Sequence, residues 1–299
     1  MTHETLPDPE IETIRAQLAA APRPASFAER RQRLDAIGAR YKVPDDIRVE
    51  PVNANGVRAE WTSSPEAERG RVLLFLHGGG YVSGSLDSHR HLVAQAGREA
   101  RACTLALDYR RAPEHPFPAA LHDAISGYRF LLAEGFAPKR IALGGESAGG
   151  GLALATLIRL REAEVPFPAC LWCSSPWVDL EMTGDSMIEK AATDPLIQKA
   201  YLQELAALYL DGCNPRDPLA SPLHADLRGL PPMLVQVGSS ETLLDDAARI
   251  ARAAGAAEVP VRLEIWPEMI HAFTLFHPQL AAGRRALAQV GAFVRSCLS

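Results

Sequence analysis

From residue 71 onward the chain alternates short, nearly continuous apolar runs with longer segments of helical periodicity, and this alternation constrains its fold more than any other feature. The runs VLLFL (72–76), ACTLAL (102–107), IALGG (141–145), ACLWCS (169–174), MLVQVG (233–238) and VRLEIW (261–266) read as strands. Segments 86–100, 119–134, 148–163, 243–255 and 280–298 carry helical spacing. Near-continuous apolar strands need cover on both faces, and alternating helices supply it. The expectation is an α/β fold with a mostly parallel central sheet between two layers of helices. Ligands of such sheets sit beyond the carboxyl ends of the strands.

Two regions stand outside the alternation. Residues 7–45 read as helical, with Ile11, Ile14, Leu18 and then Phe27, Leu34, Ile37 on one face and Pro22 and Pro24 interrupting the run. Ile47 to Val52 and Val57 to Trp61 then flank a turn at Asn53 to Gly56 and read as two further strands. Between 177 and 230 no strand-like run occurs; a loop, a helix from about Pro195 to Leu210 and a Pro-rich connector fill the interval. An insertion at the carboxyl edge of a sheet is placed to cover a substrate. The expected organisation is an N-terminal helical cap segment (1–45) and a catalytic domain (46–299) with a cap insertion at about 177–230.

A formal charge of -5 leaves no surplus of cations for phosphate backbones, so a nucleic-acid partner is not expected. The first residues, MTHETLPDPEIETIRAQL, lack a basic stretch leading into an apolar one, and no apolar run is long enough to span a bilayer. A cytoplasmic protein without a membrane span is the expectation. The five cysteines are scattered and odd in number, against a disulfide framework. Cys170 and Cys173 form a CxxC, but on a strand residues three apart face opposite ways, so buried structural thiols are expected rather than a zinc site.

The chemistry is carried by four short segments. Gly145-Glu146-Ser147-Ala148-Gly149 follows one apolar run and opens a helical one, the context of a G-x-S-x-G nucleophile elbow. The glycines are expected because a Cβ at either would meet neighbouring backbone. Ser147 is then the nucleophile, and the Ala148 N–H points to where an oxyanion would form. His77-Gly78-Gly79-Gly80 follows VLLFL, and a triple glycine there lets backbone N–H groups approach a ligand. Gly78 and Gly79 are assigned as donors beside Ala148. No phosphate-loop or dinucleotide-binding pattern occurs, and His77 is read as organising the loop rather than as a base.

Among nine histidines, His271 lies in the loop EMIHAF after the last strand, where a base following Ser and acid in chain order belongs. His277 is the nearest rival; His89, His91, His122 and His224 suit surface or packing roles. The acid is expected in the loop after MLVQVG. Glu241 is the first carboxylate there, with Asp245 and then Asp246 as rivals inside the following helix.

HGGGYVSGS (77–85), DYRRAPEHPFPAALHDA (108–124), GESAGG (145–150), SPWVDL (175–180), GSSETLLDD (238–246) and MIHAF (269–273) stand in an order that closely resembles the bacterial hormone-sensitive-lipase-like family of α/β-hydrolase esterases, over roughly residues 70–296. The resemblance implies Ser147, His271 and Glu241 as the triad, oxyanion donors at Gly78, Gly79 and Ala148, no cofactor, a helical cap and frequent dimerisation. It implies hydrolysis of short- to medium-chain esters. Segment 45–61 and the cap are also similar to members acting as ε-lactone hydrolases or acetylhydrolases, and amide deacetylation would use the same triad. Glu146 and Glu241 stand where the family more often has Asp. A non-catalytic receptor of the kind that binds gibberellin in plants shares the likeness but lacks the histidine that His271 supplies here.

Overall fold

The computed structural model describes residues 8–20, 24 and 26–298. The strands are β1 Arg48–Ala54, β2 Val57–Ser63, β3 Val72–Leu76, β4 Cys103–Leu107, β5 Ile141–Glu146, β6 Cys170–Ser174, β7 Met233–Gly238 and β8 Val261–Trp266. They form one sheet in the order β1-β2-β4-β3-β5-β6-β7-β8. β1 and β2 pair antiparallel, as do β2 and β4, and every other pairing is parallel. The helices are α1 Pro9–Ala20, α2 Phe27–Ala39, α3 Leu86–Ala100, α4 Ala119–Ala133, α5 Ala148–Glu162, α6 Ser186–Glu189, α7 Lys199–Leu210, α8 Leu244–Ala256 and α9 Ala281–Cys297.

The strand pleat divides each apolar run between two cores. Leu74, Leu76, Leu143, Leu171, Cys173 and Val235 join one, which also takes in residues of α4, α5 and α8. Leu73, Phe75, Ala142, Cys170, Trp172 and Leu234 join the other, beneath α3 and α9. Successive side chains on opposite faces, both buried, are what a parallel sheet requires. Cys170 and Cys173 are accordingly buried in different cores and unbridged.

The six expected strands and five intervening helices agree with the structure to within a residue at each end. The β1–β2 hairpin turns at Asn55 and Gly56, both at positive φ, with the Gly56 N–H donating to Asn53 Oδ1 at 2.6 Å. The helix expected from Pro195 starts only at Lys199. Asp194 Oδ1 accepts the N–H groups of Leu196 and Ile197, at 2.9 Å each, and holds that stretch as a turn instead. The interruption expected at Pro22 lies outside the described residues. No helix among the described residues is long and apolar enough to cross a membrane.

The N-terminal helices dock on the loops at the carboxyl edge. Arg15 of α1 donates to the carbonyls of Thr193 (2.8 Å) and Glu268 (2.7 Å). Arg31 of α2 donates to the carbonyls of Val82 (2.8 Å) and Ala112 (3.1 Å), and Arg30 pairs with Glu204 of α7 at 2.8 Å. These contacts fasten the two non-alternating regions of the sequence to one another and to the end of the sheet.

Trp172 is fully buried at the centre of the second core, against Phe75 at 5.7 Å between ring centroids, with its Nε1–H on Gln236 Oε1 at 3.2 Å. Trp172→Ala should lower the unfolding free energy by about 3–5 kcal/mol, since it opens a cavity and strands a buried amide oxygen. Urea denaturation measures this, and a loss below about 1 kcal/mol would contradict the packing described.

Candidate active site

β5 ends at Glu146, and α5 begins at Ala148. Between them Ser147 has φ 55° and ψ -120°, which turns the chain from strand to helix within one residue. The Ser147 N–H is held by the Ser174 carbonyl at 2.9 Å, and the Ser147 carbonyl accepts Gly151 N–H at 3.2 Å and Trp177 N–H at 3.0 Å. A Cβ on Gly145 would strike the Gly149 carbonyl, and one on Gly149 would strike the Leu76 carbonyl of β3. The two flanking glycines are therefore required for the reason expected. Ala148 is the first residue of α5, so its N–H has no acceptor within the helix.

His271 lies in the loop after β8, followed by Ala272 at φ 55°. Its Nε2 is 3.0 Å from Ser147 Oγ, and its Nδ1 is 2.8 Å from Glu241 Oε2. Glu241 is fully buried; its Oε1 accepts Ser175 Oγ–H at 2.9 Å and, in a very short contact, the Gly238 N–H. The order Ser147 Oγ, imidazole, carboxylate is thus unbroken. The rival acids face elsewhere. Asp245 Oδ2 accepts Ser186 N–H at 2.9 Å, and Asp246 Oδ2 accepts the N–H groups of Val178 (2.9 Å) and Asp179 (3.0 Å). The rival base, His277, stacks on His91 at 5.5 Å.

Burial favours neutral imidazole at His271, but the hydrogen bond and charge of Glu241, together with the charge of Glu146, outweigh it and raise the pKa to about 9. Burial also raises the Glu241 carboxyl, against the opposing pull of His271. His77, by contrast, is pushed well below the ordinary histidine value by burial. Its neutral ring stacks on Tyr109 at 4.1 Å and donates from Nδ1 to the Gly78 carbonyl at 2.8 Å, the loop-organising role expected of it.

One expected residue is not where the expectation put it. The Gly78 N–H points inward to His89 Nε2 at 3.2 Å, and Glu146 occupies the space where a Gly78 Cβ would lie. Gly79 and Gly80, at φ +113° and +64°, line the cavity beside Ser147, and neither N–H donates to any described residue. The donor pair open to the cavity is therefore Gly79 and Gly80 rather than Gly78 and Gly79. Three consecutive glycines look alike in sequence, and only the path of the loop tells them apart. His89 and His91 are likewise buried in the interior, whereas His122 is exposed as a surface residue should be.

Above Ser147 opens a cavity of about 710 Å³, walled by Leu34 and Ile37 of α2, by Leu196 and Ile197, and by Leu202 and Leu205 of α7. Sequence reasoning missed Asp194, which is 2% exposed and whose Oδ2 accepts the N–H of Thr242, the residue after Glu241, at 2.9 Å. The Asp-Pro dipeptide before the α7 turn was its only local signal. Asp179, Glu181 and His224 each bring one ligand-type atom within 4.8 Å of the others. Arg249 and Thr183 occupy Asp179 Oδ2 and Arg216 stands 3.4 Å from Glu181, whereas His224 Nε2 meets no hydrogen-bond partner among the described residues.

A sequence profile of the alpha/beta hydrolase fold matches residues 73–275. A crystal structure of an esterase from the bacterial hormone-sensitive lipase family superposes with a TM-score of 0.96 at 46% identity, covering 99% of this chain and 100% of that one. The chain belongs to the bacterial hormone-sensitive-lipase-like family of α/β-hydrolase esterases. Among its relatives is an acetyl-hydrolase of Streptomyces hygroscopicus, 50% identical over 253 residues that make up 85% of this chain and 83% of that protein. An esterase of Acinetobacter venetianus is 36% identical over 84% of this chain and 82% of its own. An esterase/lipase from an uncultured bacterium, solved as a crystal structure, shares 42% identity at a TM-score of 0.93, covering 97% of this chain and 99% of that one. Family membership accounts for the shared fold.

Asp194→Ala should cost about 2–3 kcal/mol of stability, because it leaves the buried N–H of Thr242 and the half-buried N–H groups of Leu196 and Ile197 without acceptors. The exposed Asp185 makes no such bond, and its alanine variant should change stability by less than about 0.5 kcal/mol. Chemical denaturation of both variants checks the contrast, and equal losses would show that Asp194 does not hold this loop.

Proposed function

We propose that the protein hydrolyses carboxylic esters of short to medium chain length through an acyl-enzyme, with Ser147 as nucleophile, His271 as general base and Glu241 as the acid that orients it. The observation that carries this reading is the continuous relay of 3.0 Å from Ser147 Oγ to His271 Nε2 and 2.8 Å from His271 Nδ1 to Glu241. His271 Nε2 takes the hydroxyl proton as Ser147 Oγ attacks the ester carbonyl carbon. The carbonyl electron pair moves onto oxygen, and the N–H groups of Gly79, Gly80 and Ala148 receive it. Collapse expels the alcohol, which takes the proton from His271, and water repeats the cycle to free the acid. Each well-placed donor of this kind is worth about 10²–10³ in rate.

The cavity of about 710 Å³, with Leu34, Ile37, Leu196 and Leu205 on its wall, has room for a short acyl group and its alcohol. A neighbour at 42% identity has a crystal structure soaked with p-nitrophenyl butyrate, an ester with a short acyl chain. We assign the N-terminal helices and residues 177–230 as the cap, on the strength of their joint lining of this cavity. Acetyl-hydrolases among the relatives favour a second reading, removal of an acetyl group from a small ester or amide by the same triad, or the opening of a small lactone. The paired base argues against a receptor without turnover. A homodimer is also proposed: β8 is an edge strand of the sheet, and its Ile265 is 49% exposed.

On a panel of p-nitrophenyl esters of rising chain length, small lactones and N-acetyl amides, the acetate-to-hexanoate esters should be turned over fastest. Ser147→Ala should lose at least about 10³-fold in kcat/KM. Retention of wild-type rates by that variant would overturn the mechanism. Glu241→Ala should lose about 10²-fold or more, while Asp245→Ala stays within about threefold. A reversal of that order would transfer the acid's role to Asp245.

The pH dependence has a definite sign. His271 must be neutral to accept a proton, and Glu241 holds its pKa up at about 9. Activity should therefore rise with pH through the alkaline range and fall as pH drops below that value. Glu241→Gln should move this limb downward, because burial then acts with only the weaker help of Glu146. A wild-type limb at or below the ordinary value of about 6.5 would contradict the electrostatics described.

A further inference from the structure

Glu146 is the buried carboxylate that the acyl-transfer scheme leaves without a task. It precedes the nucleophile, its side chain is 3% exposed, and its Oε2 lies 3.0 Å from His89 Nε2. The fit against Gly78, whose Cβ space the carboxyl group fills, confines it to this place. Its other oxygen, Oε1, accepts no hydrogen bond from a described residue and lies 3.6 Å from His271 Nε2. Glu146 also lines the cavity. The reacting nitrogen of the base thus has a second acceptor beside it, facing the same space as Ser147 Oγ.

During acylation Ser147 Oγ occupies His271 Nε2 and carries a single proton, so a second acceptor has nothing to receive. Deacylation differs. Ser147 Oγ is then esterified, and the group at Nε2 is a water with two protons, only one of which the base can take. The other falls to whatever acceptor stands beside Nε2, and Glu146 Oε1 is placed there. An oxygen can sit at about 2.8 Å from both Nε2 and Oε1, given their separation.

We propose that Glu146 Oε1, together with His271 Nε2, seats and orients the water that hydrolyses the acyl-enzyme; this rests on the reading of Ser147 as the acylated residue. One O–H of the water donates to Nε2 and the other to Oε1. The Nε2 atom takes the first proton as the water oxygen bonds to the acyl carbon and the carbonyl pair moves to the oxyanion donors. Collapse restores the carbonyl, breaks the bond to Ser147 Oγ, and returns the proton from Nε2 to that oxygen. Glu146 neither gains nor loses a proton over the cycle; it fixes the direction of the attacking lone pair.

Methanol provides the test, because it has one O–H and cannot use the second acceptor. In water–methanol mixtures the acyl-enzyme partitions between acid and methyl ester, and that product ratio is independent of how much enzyme is active. Wild type should give one partition ratio with butyrate esters of different leaving groups, as a shared acyl-enzyme requires. Leaving-group-dependent ratios would instead defeat the Ser147 reading itself. Glu146→Leu should raise the methyl ester to acid ratio at least about fivefold; on the alkaline plateau, where His271 is neutral in both proteins, it should slow the hydrolytic step in stopped-flow while the acylation burst changes less than about twofold. Glu146→Gln, which keeps the size and a partner for His89 but removes the charge, should raise the ratio by at least about twofold, and it carries the test should the leucine variant not fold. An unchanged ratio in whichever of these variants folds, or equal slowing of acylation and deacylation, would overturn the proposal and leave Glu146 a support for the oxyanion loop.

Discussion

Ser147 sits at φ 55°, a conformation that a side-chain-bearing residue adopts only when its surroundings enforce it, and the rest of the site follows from that one turn. The enforcement comes from three directions. The end of β6 takes the Ser147 N–H, the chain at Trp177 takes its carbonyl, and β3 presses its Leu76 carbonyl against Gly149. With the backbone so held, α5 starts at the next residue, leaving the Ala148 N–H free at the helix's positive end. The parallel sheet matters to the chemistry because it brings the carboxyl ends of β3, β5, β7 and β8 to one edge, and those strands deliver the glycine loop, the serine, the acid and the base.

Charge at this edge is arranged around a single imidazole. His271 lies between Glu241 at 2.8 Å and Glu146 at 3.6 Å, in a setting where burial alone would favour its neutral form. The two carboxylates address different nitrogens. Glu241 meets Nδ1, and in the proposed mechanism it fixes the tautomer and sustains the positive charge that develops on proton transfer. Glu146 meets Nε2, the nitrogen that exchanges protons with the reacting groups in the proposed mechanism. Contacts from outside the sheet hold this arrangement in place. Asp194 of the insertion ties down the residue after Glu241, Arg15 of α1 grips the strand-end loop before His271, and Arg31 of α2 grips Val82 beyond the glycine loop.

Much of this was legible in the sequence, and for a physical reason. Strands buried on both faces must be apolar at every position, and helices that cover them must be periodic, so the alternating architecture reads out to within a residue. That Ser147, His271 and Glu241 meet was also legible, since each stands at a strand end with a local signal of its own. What was not legible depends on contacts between distant segments. Nothing local distinguishes Gly78, whose N–H turns inward to His89, from Gly80, whose N–H stays open. Asp194 looks like an ordinary loop aspartate until its four acceptor contacts, two to its own turn and two to Thr242, are seen. Glu146 reads only as a filler of the elbow motif, and its place beside the base emerges from the fold.

The central claim is that Ser147 is the residue that carries the acyl group. Its most direct test is covalent: treat the protein with a small fluorophosphonate, digest it, and locate the adduct by peptide mass spectrometry. The account predicts stoichiometric, single-site modification on the peptide containing Ser147, together with loss of that labelling in His271→Ala. An adduct on any other residue, or none on a folded protein, would contradict it.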